Sequence, residues 1–213
     1  MTGRITAIEE SEDGGRVTVY VDGKQAFTVS SDVARTLGLA IGQGGESRED
    51  AEKTGDGPEL ARAREAALRL LAVRARSRAE LVDRLRRKGI GASAASDAVA
   101  ALENVGLVND VGFARLWAEE RMRLRPVGAR RLERELLLKG VSAPIVADII
   151  GETYREHPEI DLARRALAKH RAKSGPCDPR KERARAYAFL LRRGFSHEVA
   201  AQALRERERK AGG

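Results

Sequence analysis

Hydrophobic and polar positions follow two different periods along the chain. The first 41 residues contain three short runs rich in β-branched residues and partly alternating: RITAIEES, RVTVYVD and QAFTVS. The turn sequences DGG and DGK separate these runs, and glycine supplies the positive φ that tight hairpin turns need. A segment with helix-capping signals follows from Ser31 to Gly38. Residues 1–41 are therefore predicted to form a small β-sheet domain with one short helix.

Residues 42–58 are polar and rich in glycine, and they show no apolar period. This composition predicts a flexible linker. From residue 59 onward the apolar positions follow the helical period, and the pattern restarts twice. We predict three-helix modules over residues 59–108, 109–157 and 158–213.

The end of the second helix is the clearest repeated feature of these modules. A cation, a glycine and an apolar residue follow one another in RKGI, LKGV and RRGF. The glycines are Gly89, Gly140 and Gly194, which lie 51 and 54 residues apart. We interpret them as structural helix stops in the left-handed conformation, each preceded by a cation that favours the negative end of the helix dipole.

A period of roughly 50 residues with three helices in each unit is typical of tandem repeats. Each module is too small for a large core of its own, so neighbouring modules are expected to stack. The predicted fold is mostly α, with three tandem three-helix modules in an elongated, curved arrangement behind a small β-rich N-terminal domain.

The net charge of +8 conceals an uneven distribution along the chain. Residues 1–58 carry six basic and 11 acidic residues, whereas residues 59–213 carry 34 basic and 21 acidic residues, a net of +13. Such asymmetry indicates a polyanionic partner for the C-terminal part. The alternative is a solvated helix surface, since 32 of the 40 basic residues are arginine, which is also what a biased genomic base composition produces.

Many of these cations cluster on or near the second helix of each module. The candidate contact residues for a partner or a nucleic acid are Arg86, Arg87, Lys88, Arg130, Arg131, Arg134, Lys139, Lys169, Arg171, Lys173, Arg192 and Arg193. Residues 59–213 contain only three Asn and Gln side chains, which disfavours direct reading of base sequence. Contacts to a phosphate backbone, contacts to a protein, or both remain.

No catalytic or metal-binding constellation can be assembled from the sequence. The three histidines lack ligand spacing, and Cys177 lies in a turn without a motif-defined base. We therefore predict no enzymatic activity, no metal and no cofactor. The sequence has no apolar run of signal-peptide or membrane-span length, and its single cysteine fits a reducing compartment, so we expect a cytoplasmic protein without membrane contact.

Three stretches of the helical part are distinctive: ALRLLAVRARSRAELVDRLRRKG, VAALENVGLVNDVGFARLWAEERMR and PVGARRLERELLLKGV. Together they resemble the RecX family, bacterial modulators of the RecA recombinase. The resemblance covers residues 59–207 and includes the Arg-Ser-x-x-Glu-Leu start at Arg76 to Leu81. The third module departs most, with FLLRRGFS in place of a Lys-Gly ending and an insert from Ser174 to Pro179.

This resemblance implies a protein that binds the RecA–DNA filament within its groove and restrains ATP hydrolysis, strand exchange and co-protease activity. It also implies no catalytic residues, and it supplies no motif that fixes the contact residues. We expect a monomer with weak, non-specific affinity for DNA. Two alternatives stay open: a helical DNA-binding regulator that contacts mainly the phosphate backbone, and a structural adaptor that binds an acidic protein.

Overall fold

The computed structural model of the chain describes residues 5–10, 15–21, 23–31, 34, 57–170 and 178–211. The strands are β1 (Ile5–Glu10), β2 (Arg16–Val21) and β3 (Lys24–Ser30). The helices are α1 (Pro58–Val73), α2 (Arg78–Arg87), α3 (Ala92–Asn104), α4 (Asp110–Leu124), α5 (Ala129–Leu138), α6 (Ala143–Glu156), α7 (Glu159–His170), α8 (Pro179–Arg192) and α9 (His197–Ala211). The predicted fold class, three three-helix modules behind a small β-sheet, is confirmed.

Two predicted segments fall largely outside the described residues. They are the short helix over 31–38, of which residues 31 and 34 are described, and the linker. The linker was predicted to extend to residue 58, but Pro58 is already the first residue of α1, and Gly57 is its N-cap. Proline suits this position because the first amides of a helix have no partner within the helix.

The sheet is an antiparallel meander in the order β1-β2-β3. Val17 pairs with Val29, and both Val17 and Val19 are fully shielded from solvent at 0% exposure. Thr18 lies between these two valines in the sequence, and its hydroxyl lies 3.1 Å from that of Thr28 on β3. This alternation gives the sheet one apolar face and one polar face.

The chain divides into two compact units, Met1–Asp110 and Val111–Gly213. In the first unit, α1, α2 and α3 enclose a core that includes Leu68, Leu85 and Leu102. Leu107 contacts this core and also the small apolar cluster that contains Val17 of the sheet. The sheet and the first three-helix module are therefore joined by apolar packing.

In the second unit, the second and third modules share a single hydrophobic core. Each of the six helices contributes buried residues to it, among them Phe113, Leu136, Ile149, Leu162, Leu190 and Leu204. The stacking predicted for modules of this size takes the form of one pooled core here. Because apolar burial is the main stabilising contribution to folding, we expect α4 to α9 to unfold together.

Acidic residues cap the second helices of the first two modules. The Asp110 carboxylate accepts a hydrogen bond from the Arg78 amide at the start of α2, with a distance of 2.8 Å. The Glu159 carboxylate accepts from the Ala129 amide at the start of α5, at 2.7 Å. Both carboxylates satisfy an amide that lacks a helical partner and lie at the positive end of a helix dipole. The first two modules thus repeat the same capping interaction at the start of their second helix.

The start of α5 and the end of α8 approach each other backbone to backbone. The Gly128 amide donates to the Arg193 carbonyl at 2.9 Å. A Cβ atom added to Gly128 would lie 2.3 Å from the Gly194 carbonyl oxygen, and one added to Gly194 would lie 2.4 Å from the Cβ of Arg131. Such distances exclude any side chain at either glycine without a shift of the backbone. The two helix ends are therefore in direct backbone contact.

This close approach predicts opposite effects for two Gly→Ala substitutions in the second unit. Gly128→Ala should lower the free energy of unfolding by about 1–3 kcal/mol, the usual cost of overpacking. Gly151→Ala, in α6 with no atom within 4 Å of an added Cβ, should raise it by roughly 0.5–1 kcal/mol. Urea unfolding followed by the fluorescence of Trp117, the only tryptophan in the chain, reports on this unit. Equal unfolding midpoints for the two variants would contradict the close approach.

Candidate partner-binding surface

All three second helices end in the same pair of hydrogen bonds. At the end of α2, Gly89 has φ +81°, its amide donates to Arg86, and the next amide, of Ile90, reaches back to the Leu85 carbonyl at 3.2 Å. The same pattern ends α5 at Gly140, with φ +75°, and α8 at Gly194, with φ +85°. The residues after the three glycines are buried, namely Ile90, Val141 and Phe195. This turn anchors each helix end in the core.

The end of α2 carries three exposed cations, Arg86, Arg87 and Lys88, which we call the cationic tip. Arg87 pairs with Asp83 at 3.0 Å, but its side chain is 77% exposed, and such a pair is weak in water. No ion pair involves Arg86 or Lys88 within the described part of the chain. Three adjacent cations are therefore accessible to an anionic partner.

Other arginines near α2 are held by the carboxylate of Glu80. This carboxylate is 12% exposed and accepts hydrogen bonds from Arg74 and from Arg76, the latter at 2.9 Å. Arg76 also donates to the Leu70 carbonyl at 3.1 Å. Burial, followed by repulsion from Arg74, lowers the pKa of Arg76 although Glu80 acts in the opposite direction. These arginines stabilise the turn between α1 and α2 and do not belong to the cationic tip.

The solvent side of α5 combines cations with exposed leucines. Arg130 and Arg134 are exposed, and no ion pair is formed by either of them among the residues described. Leu137 and Leu138 follow in the last turn, with 44% and 75% of their surface exposed. We call these four residues the cation–leucine face. The two leucines were not predicted as surface residues, although three consecutive leucines cannot all face the core when helical positions are 100° apart.

Two of the predicted contact residues, Arg131 and Arg193, form contacts within the second unit. Arg131 donates to the Arg192 carbonyl at 3.3 Å. Arg193 donates to the Pro126 carbonyl at 3.0 Å, and its guanidinium lies 4.8 Å from the centre of the Phe189 ring. Burial, together with repulsion from Arg131 and a further arginine, lowers the pKa of Arg193. Both side chains join the start of α5 to the end of α8, so we leave them out of the proposed contact set.

Glu135 organises the side of α5 that faces α4. Its carboxylate is 17% exposed and accepts hydrogen bonds from Arg121 at 2.7 Å, Arg131 at 2.9 Å and the Trp117 indole at 3.2 Å. Burial acts to raise the pKa of Glu135, but the hydrogen bonds from these three donors outweigh it, and the pKa is lowered. Lys139 also faces inward, 4.8 Å from the Trp117 ring centre. The Glu135 carboxylate thus joins α4 and α5 through its bonds to Arg121, Arg131 and Trp117.

The third module presents a smaller cationic surface within the described residues. Lys169 on α7 and Arg192 on α8 are exposed, whereas Arg193 is engaged with Pro126. The predicted contact residues Arg171 and Lys173, like Cys177, lie outside the described ranges. The strongest candidates for partner contact are therefore the cationic tip of α2 and the cation–leucine face of α5.

The exposed side chains of α2 and α5 are suited to binding an anionic partner. In the described ranges, no cluster of three or more His, Cys, Asp or Glu side chains could hold a metal ion. None of the described helices is both long and apolar enough to cross a membrane. What the surface provides is positive charge at two helix faces, one of them with adjacent apolar side chains.

Comparison with known sequences gives a consistent family match. The models of the first, second and third three-helix domains of RecX match residues 63–102, 109–149 and 158–204. Regulatory protein RecX of Amycolatopsis mediterranei is 35% identical over 151 residues, which cover 71% of this chain and 86% of the relative. Regulatory protein RecX of Caldanaerobacter subterraneus is 28% identical over 200 residues, which cover 94% and 98% of the two chains.

Solved structures show the same fold. A crystal structure of regulatory protein RecX aligns with a TM-score of 0.60 and 22% identity, covering 94% of this chain and 98% of the other. RecX from Lactobacillus salivarius aligns with a TM-score of 0.58 and 22% identity, covering 70% of this chain and 96% of the other. At this level of identity the likeness concerns the fold alone.

The contacts of Glu135 predict a specific loss of stability. Glu135→Gln removes a charge that accepts three hydrogen bonds and should lower the free energy of unfolding of the second unit by about 1.5–3 kcal/mol. The matched control is Glu133→Gln, the same substitution at an exposed position of the same helix, with an expected change below about 0.5 kcal/mol. Urea unfolding at pH 7 compares the two, and equal midpoints would show that the charge of Glu135 contributes nothing to stability.

The same carboxylate predicts a dependence on pH. Because the folded-state pKa of Glu135 lies below its unfolded value, its stabilising contribution is present above the unfolded pKa and is lost as the pH falls through the folded pKa. The stability difference between wild type and Glu135→Gln should therefore shrink below about pH 4. If the stability difference between wild type and Glu135→Gln stays constant down to pH 2.5, the stabilising role of the Glu135 charge is contradicted.

Proposed function

Because the chain belongs to the RecX family of regulatory proteins, we propose that it regulates the RecA recombinase by binding the RecA–DNA filament. The effect we propose is inhibition of ATP hydrolysis, strand exchange and co-protease activity, exerted by binding without catalysis. We further infer that the protein is a cytoplasmic monomer that needs no cofactor. The proposed modules are residues 59–108, 109–157 and 158–213.

The observation that carries this proposal is the set of exposed cations on the second helices. Arg86, Lys88, Arg130 and Arg134 project into solvent without an ion-pair partner among the residues that the structure describes. A nucleoprotein filament presents phosphates and acidic side chains in a repeating array. Positive charge accelerates association with such a target and orients the bound protein.

The proposed mechanism is a bridge between two positions on the RecA–DNA filament. The cationic tip and the cation–leucine face lie on separate helices of one chain, so each can contact a different position on the filament. Once one contact has formed, the second becomes intramolecular and gains from a high effective concentration. A chain bound at two positions would restrict the subunit movements that accompany ATP hydrolysis.

The cationic tip also supports a second candidate function, contact with the phosphate backbone of DNA itself. We expect binding to unrelated duplexes to be weak and independent of sequence, because few side chains suited to base reading are present. Affinity should fall with salt, with a log–log slope of about −0.9 for each phosphate neutralised. Titrating several unrelated duplexes over a salt series measures both quantities. A preference above about a hundredfold for one duplex would instead favour a sequence-specific DNA-binding regulator.

The filament proposal predicts a loss of inhibition when the exposed cations are removed together. Wild-type protein should slow DNA-dependent ATP hydrolysis by RecA. A quadruple variant with Arg86→Ala, Lys88→Ala, Arg130→Ala and Arg134→Ala should need at least about tenfold more protein for the same inhibition, because the two cationic surfaces act together. The measurement is phosphate release by RecA on single-stranded DNA, with wild type and variant titrated in parallel.

The matched control removes the same number of charges outside the second helices. Arg62→Ala, Arg155→Ala, Arg205→Ala and Arg209→Ala all affect exposed arginines, and this variant should inhibit nearly as well as wild type. Equal loss in both variants would mean that net charge alone matters. No inhibition by saturating wild type, in hydrolysis or in strand exchange, would refute the RecA proposal.

A further inference from the structure

The end of α5 differs from the equivalent ends of α2 and α8. The three helix ends can be aligned on their left-handed glycines, each of which directly follows a cation. The two residues before that cation are Arg86-Arg87 in α2, Leu137-Leu138 in α5 and Leu191-Arg192 in α8. Leu191 packs against the core of the second unit, but Leu137 and Leu138 are not part of that core. Among these three helix ends, α5 therefore presents the most exposed apolar surface.

The exposure of Leu137 and Leu138 is unusual because of their neighbours. A single exposed leucine is common on protein surfaces and needs no explanation. Here two leucines, 44% and 75% exposed, share one helix face with two arginines that form no ion pair in the described chain. Apolar surface bordered by charge is typical of a site where another macromolecule binds.

The spacing of these residues places them in one stripe. Arg130, Arg134 and Leu138 lie four residues apart in turn, so they follow the same side of the helix, with Leu137 beside them. The stripe from Arg130 to Leu138 is about 12 Å long at 1.5 Å per residue. Its first two turns are cationic and its last turn is apolar. Two acidic residues flank Arg134 in the sequence: Glu135 pairs with Arg121 and Arg131, and Glu133 lies at one edge of the stripe.

We propose that the cation–leucine face docks an amphipathic helix of a protein partner. The apolar residues of that helix cover Leu137 and Leu138, while its Asp or Glu side chains, one and two turns away, pair with Arg134 and Arg130. The inference rests on the proposed function in one respect: the protein that supplies the helix is RecA within the filament. Burial of the two leucines removes apolar surface from water, and the carboxylates compensate the two unpaired charges.

The chemistry of the face favours a protein over a nucleic acid. A phosphate backbone offers charge and sugar but little apolar surface to cover two leucines, and base stacking uses aromatic side chains, which this face lacks. The cationic tip of α2 shows the contrasting composition, with three cations and no leucine at the equivalent positions. The two faces therefore suit different targets on the same filament: phosphate for α2 and protein for α5.

The test separates apolar contact from charge. The variant is Leu137→Ser with Leu138→Ser, and the matched control is Val73→Ser, which removes another highly exposed apolar side chain, 69% exposed, from the first unit. Binding is measured to RecA filaments on fluorescent single-stranded DNA and, separately, to the same DNA without RecA. The double variant should bind filaments at least about tenfold more weakly and bind naked DNA unchanged, while the control matches wild type on both.

A photo-cross-link identifies the occupant directly. With p-benzoylphenylalanine introduced at position 138, irradiation of the protein bound to filaments should yield a product with RecA. A product with DNA or with a second copy of this chain, or no product at all, would overturn the inference.

The binding experiment also distinguishes this inference from the function on which it rests. If wild type binds filaments and the double variant binds equally well, the α5 inference fails and the RecA proposal stands. If wild type itself does not bind filaments, the RecA proposal fails and the inference fails with it.

Discussion

One backbone interaction, repeated three times, supports both the core and the surface of this protein. After each left-handed glycine, the next amide returns to the carbonyl five residues earlier, and the apolar side chain of that residue enters the core. Because the turn fixes where the helix ends, it also fixes which residues occupy the last helical turn. At the end of α8 the same turn lies against Gly128, where an added Cβ could not be accommodated. The turn that ends a helix thus also joins two modules into one core.

The helix framework decides which arginines are paired internally and which remain exposed. Glu80 and Glu135 each accept several hydrogen bonds from arginines or tryptophan and keep those side chains close to the core. On α2 and α5, the exposed cations outside any ion pair of the described residues include Arg86, Lys88, Arg130 and Arg134. A net charge of +8 therefore says little about which residues are available, since several arginines are held in internal ion pairs. Burial and pairing decide which arginines can meet a partner.

Features that depend on neighbours in sequence could be predicted. The glycines that end the second helices and the cap of α2 by Ser77, whose hydroxyl accepts from the Glu80 amide at 3.1 Å, follow from local backbone chemistry. The roles of Arg131 and Arg193 could not be predicted, because the carbonyls they bind lie 61 and 67 residues away. The shared core of the second and third modules could not be predicted either. A glycine such as Gly128 looks the same in the sequence whether it lies in an open loop or where two backbones touch. The exposed leucines of α5 were predictable, because three consecutive leucines cannot all face the core of one helix.

Amide hydrogen exchange tests most directly the claim that the outer faces of the second helices contact the filament. Exchange would be followed by mass spectrometry for the full chain, free and bound to saturating RecA filaments on single-stranded DNA. If these faces contact the filament, exchange should slow in peptides that cover residues 84–91 and 130–141, because their helix ends become covered, and should stay unchanged in α3 and α6. Slower exchange confined to the β-sheet or to α3 and α6 would contradict it. So would an unchanged pattern throughout the chain under conditions where binding is complete.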